Sequence, residues 1–111
     1  MTRRIIARAA LAAVTLGLAG SAHAAGGHKS GEALYERFCA PCHNTGFWAA
    51  QKLGARYGEE NADLRQRKDL NASFIETVVR QGMGSMPPYR KTEVLPDQLD
   101  AIADYLTRKE R

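Results

Sequence analysis

Cys39-Ala40-Pro41-Cys42-His43 contains both cysteines of the 111-residue chain. Two thiols three positions apart on a helical turn face the same way, and the next residue projects just beside them. Spaced as C-x-x-C-H, the thiols can add to the two vinyl groups of one porphyrin edge while His43 reaches under the iron, the attachment pattern of c-type haem. Three rivals use the same cysteines. A thiol redox pair normally opens a helix that follows a strand, where the helix dipole lowers the thiol pKa, and no strand pattern precedes Cys39. A disulfide across so short a loop restricts little. Zinc needs further soft ligands, and beyond the leader the only other histidine is His28, in a loose polar stretch.

Outward toward the N-terminus, Ser30 is a good N-cap. Gly31, Leu34, Tyr35 and Phe38 recur at helical spacing behind it, predicting an amphipathic helix over about 31–41 that runs into the cysteines. Further upstream, Arg3, Arg4 and Arg8 precede an apolar run from Ala9 to Leu18 that ends in small residues and Ala22-His23-Ala24. This is the pattern of a secretory signal peptide, with cleavage expected after Ala24. The run is about half of the roughly 20 apolar residues that a membrane span requires. The pair Arg3-Arg4 leaves the twin-arginine route open. The expected organisation is a removed leader at 1–24 and one domain at 25–111, exported to the periplasm. The leader holds three of the 16 Lys and Arg and none of the 12 Asp and Glu, so the remainder carries a net charge of only +1. No basic block remains, which argues against nucleic-acid binding and against a polybasic membrane patch. A domain this small buries a modest share of its surface, and such folds often recruit a cofactor into the core.

Downstream of the motif, residues 44–67 are irregular. Gly46, Gly54 and Gly58 interrupt a scatter of Phe47, Trp48, Leu53, Tyr57 and Leu64, which predicts a wrapping loop with at most one short helix. Those apolar side chains have no regular face to fill, and a flat apolar cofactor would give them something to pack on. Asn71 can cap a second long helix carrying Phe74, Ile75, Val78 and Val79, with Gly82 just past its last turn. Pro96 suits the first turn of a final helix whose Leu99, Ile102, Ala103 and Leu106 share one face, with Arg108, Lys109 and Arg111 near its negative end. Leu95 is a poor cap for it. No alternating strand pattern occurs, so the expected fold class is all-α.

The loop between the last two helices, Met83-Gly84-Ser85-Met86-Pro87-Pro88-Tyr89, supplies the other candidate iron ligand. Pro87 and Pro88 stiffen the backbone beyond Met86 and bias Met86 itself toward an extended conformation. Met86 is therefore the expected thioether ligand opposite His43, a pairing that raises the haem potential, and Met83 is expected to fill the core.

With these residues in view, the chain resembles the class I cytochrome c family over its whole mature length. The resemblance rests on Gly31 and Tyr35 ahead of the first haem cysteine, on Tyr105-Leu106 near the C-terminus, and on Gly82 through Pro88 as the ligand loop. It implies three to four helices wrapped around one covalently bound haem c, with the two terminal helices crossing closely at the glycine. Asp69-Leu70, Val79-Arg80 and Gly82 through Met86-Pro87 are similar to small cytochromes that serve periplasmic dehydrogenases, such as the cytochrome subunit of p-cresol methylhydroxylase type flavocytochromes. The family often has a proline after the haem histidine whose carbonyl orients the imidazole; Gln51 occupies that neighbourhood here. Trp48, Tyr57, Arg67 and Arg80 are candidates to reach the haem propionates.

The implied function is outer-sphere transfer of single electrons, by a carrier rather than an enzyme. Its donor would be a dehydrogenase and its acceptor a downstream cytochrome or oxidase, with Arg37, Lys52 and Arg90 as a candidate docking patch. Two alternatives stay open: a dedicated haem subunit in a complex with a flavin or quinoprotein dehydrogenase, and a haem enzyme with an open sixth position.

Overall fold

A computed structural model describes residues 29–108; the expected leader, His28 and residues 109–111 lie outside them. The first helix, α1 (Gly31–Phe38), begins where Ser30 Oγ accepts a hydrogen bond from the Ala33 N–H. It stops three residues short of the predicted end. Pro41 has no N–H to donate back along the helix and its ring crowds the preceding turn, so the chain breaks at Cys39 and restarts as the single turn α2 (Ala40–His43).

The predicted wrapping segment contains a ten-residue helix, α3 (Trp48–Tyr57), followed by a 3-10 turn at Glu59–Asn61. Its buried side is made of Ala49, Ala50 and Gly54. Small residues bury little area and leave no hydrophobic period to read. The large apolar residues of this segment, Phe47, Trp48 and Tyr57, stand about half exposed.

Helix α4 (Ala72–Gln81) is capped as expected: Asn71 Oδ1 accepts from the Phe74 N–H at 2.9 Å, and Gly82 closes the C-terminus at a φ of 75°. Helix α5 (Pro96–Thr107) starts with Pro96 in its first turn. Leu95 has no cap to offer, but the Gln98 side chain reaches back to accept its N–H at 3.1 Å. The helix count exceeds three to four because of the break at Cys39 and the length of α3. Among the described residues there is no strand, and no helix is long and apolar enough to cross a membrane.

The core lies where α1 and α4 both pack on α5, and it is built from Leu34, Tyr35, Ile75, Val79, Leu99, Ile102 and Leu106. Gly31 sits at the crossing of α1 and α5. A Cβ there would run into the Ala101 carbonyl oxygen and would lie 2.7 Å from Tyr105 Cβ. Only glycine lets the two backbones approach this closely. Tyr35 is fully buried, with its ring 5.8 Å from that of Tyr105.

The segment after the 3-10 turn is pinned by charge. Arg65 donates from Nε and Nη2 to both oxygens of buried Asp63, at 2.9 and 2.7 Å, and its guanidinium lies 5.7 Å from the Tyr35 ring centroid. The hydrogen bonds from Arg65 hold the Asp63 carboxyl below its ordinary pKa, against the opposing effect of burial. Arg67 does the same for Asp69 while lying 5.0 Å from the centroid of Tyr57.

Candidate functional site

The break at Cys39 sets the geometry of the motif. The Cys39 N–H still donates to the Tyr35 carbonyl at 2.8 Å, and the N–H groups of Cys42 and His43 both donate to the Cys39 carbonyl, at 3.1 and 2.9 Å. One turn therefore carries Cys39, Cys42 and His43 at i, i+3 and i+4, on a common face. The two thiols are free; Cys39 is half-buried against the core and Cys42 is exposed. Burial, reinforced by the neighbouring Cys42, pushes the Cys39 thiol up to about 12.

His43 is half-buried, and burial pulls its pKa below the ordinary histidine value. The imidazole is thus neutral near pH 7, the form in which a ring nitrogen can ligate a metal. Its Nδ1 is enclosed and has no hydrogen-bond partner among the described residues. Gln51 does not orient it: the Gln51 side-chain amide donates to the Gly46 carbonyl at 3.0 Å, its N–H donates to the Phe47 carbonyl, and the residue lies inside α3.

Met86 closes a tight reversal and packs on the same core cluster as Cys39. Met83 and Met86 exchange backbone hydrogen bonds of 3.1 and 2.9 Å across Gly84, which has a φ of 58°. The turn folds back over the end of α4, where a Cβ on Gly82 would come 2.7 Å from the Met86 carbonyl oxygen. Met86 and Tyr89 are partly buried and pack on the core cluster that also receives Phe38 and Cys39. Tyr89 lies close enough to both cysteines to feel their charge, which with burial as the larger cause raises its pKa. Met83, expected in the core, is 53% exposed. As the first residue of a surface hairpin turn it has no interior to enter.

Of the candidate propionate contacts, Arg67, Tyr57 and Arg80 have partners within the protein. Arg67 is held by Asp69 and stacked on Tyr57, and Arg80 Nη1 donates to the carbonyls of Tyr89 and Val94. Trp48 stands exposed. Arg37, Lys52 and Arg90 are all exposed, with Arg90 paired to Glu93 at 3.2 Å.

Together these residues fit a covalently held haem. Two unpaired thiols and a neutral imidazole share one turn, and the enclosed Nδ1 of that imidazole has no partner among the described residues. The Met86 thioether sits on a proline-stiffened loop that packs on the same core cluster as Cys39. The uncovered apolar bulk of Phe47, Trp48 and Met83 is of the kind that a large flat apolar group covers. The signals missed in the sequence were the pairing of Asp63 with Arg65, which is local but depends on the burial of Asp63, and the inward turn of Arg80, whose carbonyl partners lie nine and fourteen residues away.

Residues 26–106 match the family model described as cytochrome C oxidase, cbb3-type, subunit III. No curated protein and no solved structure matches the chain.

Proposed function

The chain belongs to this cytochrome c family, and from that premise we propose that it is a periplasmic carrier of single electrons with one haem. Cys39 and Cys42 would hold the haem through thioether bonds, and His43 and Met86 would supply the iron's ligands. Haem c, when bound, supplies the reversible one-electron couple of its iron.

The observation that carries this reading is the shared turn of Cys39, Cys42 and His43, whose Cys39 packs on the same core cluster as Met86. In this reading the residues have four tasks. The cysteines prevent dissociation of the cofactor. Neutral His43 offers a lone pair without having to lose a proton. Met86 offers a thioether, a soft and weak ligand that favours the reduced state, and Pro87 and Pro88 stiffen the loop that would keep it in place. With His43 and Met86 both serving as ligands no place would be left for a substrate, and electrons would pass in and out without bonds being made. The single C-x-x-C-H motif among two cysteines supports one haem, and the leader pattern at 1–24 supports export.

Donor and acceptor follow from this chemistry: a periplasmic dehydrogenase that reduces the haem and a downstream cytochrome or oxidase that reoxidises it. The matched family is described by an oxidase subunit, which favours as second reading a dedicated haem subunit of a stable complex, for instance with a flavin or quinoprotein dehydrogenase. Purification without crosslinking separates the two, since a subunit co-purifies with its partner and a shuttle is isolated alone.

The test is intact-mass analysis of protein exported to an oxidising compartment with haem-attachment machinery. One haem per chain is expected, with processing after Ala24 and loss of covalent haem in a Cys39→Ser, Cys42→Ser double variant. Absence of covalent haem from the exported wild type would overturn the proposal.

A further inference from the structure

The last turn of helix α4 carries an arginine, Arg80, that points back into the protein. Arg80 Nη1 donates to two backbone carbonyls at once, Val94 at 2.9 Å and Tyr89 at 3.3 Å. Its Nε is enclosed and has no acceptor, and no carboxylate among the described residues pairs with it. These carbonyls lie on the segment that returns from the Met86 turn to α5. The same segment is tied to α4 at one further point, where the Tyr89 N–H donates to the Val79 carbonyl at 2.7 Å. Val94 is buried in the core, so the guanidinium spans from a fixed point of the core to the residue three places after Met86.

A cation without a carboxylate partner is a costly way to hold two carbonyls together, since an uncharged donor would avoid the desolvation of a charge. What an arginine adds is reach and more than one donor in a planar fork. From this we infer that Arg80 is the positioning residue of the Met86 loop: it locks Tyr89 to Val94 and thereby keeps the Met86 thioether from swinging away from the iron. The inference rests on Met86 being the axial ligand, as proposed above.

The local chain supports this division of labour. Pro87 and Pro88 fix the φ angles of the loop but supply no N–H groups. Between Met86 and α5 the loop is therefore short of backbone donors for its own carbonyls. Arg80 supplies donors from outside. Gly82 and the reciprocal Met83–Met86 hydrogen bonds set the other side of the loop. Without Arg80 that side would remain while the segment after Met86 loosened, and Met86 would open locally without general unfolding.

The experiment uses the ferric holoprotein as wild type, Arg80→Lys, Arg80→Gln and Leu106→Ala, the last a core variant away from the loop. Imidazole is the external ligand, because it can bind the iron only when Met86 lets go. The observables are the rate of imidazole binding, the long-wavelength charge-transfer band of thioether-ligated ferric haem, and the urea midpoint.

Wild type should show the band and bind imidazole slowly. Arg80→Gln should bind it at least about tenfold faster, the factor that one lost hydrogen bond from a charged donor is worth. Arg80→Lys, which keeps the charge and can reach one carbonyl, should fall between. Leu106→Ala should lower the urea midpoint and leave the imidazole rate within about twofold of wild type, as expected when global and local opening are separate. Should Arg80→Gln yield no holoprotein, the Lys variant and the core control carry the comparison by themselves. Wild-type imidazole rates in the Arg80 variants, or an equal acceleration in Leu106→Ala, would overturn the inference while leaving Met86 as ligand. Absence of the band from wild type would instead remove the ligand assignment itself.

Discussion

Replacing Gly31 with alanine tests the helix crossing on which the site is built. Gly31 opens α1, the helix that runs into Cys39. The added Cβ would lie 2.7 Å from Tyr105 Cβ and 2.9 Å from the Ala101 carbonyl carbon, where ordinary contact begins at 3.4 Å. The nearest of these atoms belong to backbone and to a Cβ, so no side chain can rotate out of the way. The helices must part by roughly 0.5–1 Å, and a gap of that size forfeits a quarter to a half of each contact it opens. Leu34 and Tyr35, buried against Ile102 and Leu106, are the contacts at stake. Overpacking of this kind costs about 2–3 kcal/mol. The helix-propensity gain of alanine offsets little, because Gly31 is the first helical residue and not an interior one. For a domain of this size the loss corresponds to a fall in Tm of about 10–20 °C. Thermal unfolding of the holoprotein, followed by far-UV circular dichroism, measures it. An unchanged or raised Tm would show that the two terminal helices do not cross as described.

Asn71→Ala removes the side chain that caps α4 and should lower stability by about 1 kcal/mol in urea unfolding, with Asn71→Asp restoring most of it. Asp63 gives a pH dependence. Its folded pKa is depressed, chiefly by the hydrogen bonds from Arg65, so its contribution is complete above the ordinary Asp pKa of 3.8 and is lost as pH falls through the lower folded value. Asp63→Asn should therefore be less stable than wild type at pH 6, with the gap closing below pH 3.8; a gap that persisted in acid would refute the linkage. Tyr35→Phe removes a buried hydroxyl that has no partner among the described residues and should leave stability equal or raise it by about 1 kcal/mol, a result that urea unfolding can read.

Helix ends were legible because they are local chemistry. Ser30, Asn71, Gly82 and Pro96 each act within a turn of their own position, and the structure places each at the predicted boundary. The reach of the first helix was overestimated because the periodic positions end at Phe38 whereas the boundary depends on Pro41. Helix α3 was hard to delimit because its buried face of Ala49, Ala50 and Gly54 has no hydrophobic contrast. On the site, Cys39, Cys42 and His43 are contiguous and could be read together. Met86 stood out against Met83 by the two prolines after it, but the exposure of Met83 depends on a hairpin turn set by Gly84. The roles of Arg65 and Arg80 were hidden because their partners are a carboxylate buried by tertiary packing and two distant carbonyls. A charged residue in a sequence looks the same whether it faces water or the core.

The central claim is a haem iron closed between His43 and Met86, and the ferric absorption spectrum of wild type beside Met86→Ala tests it most directly. The wild type is predicted to carry the thioether-to-iron charge-transfer band, and Met86→Ala is predicted to lose it while keeping its haem covalently bound. A band that survives the substitution, or one that is missing from the wild type, would contradict the account.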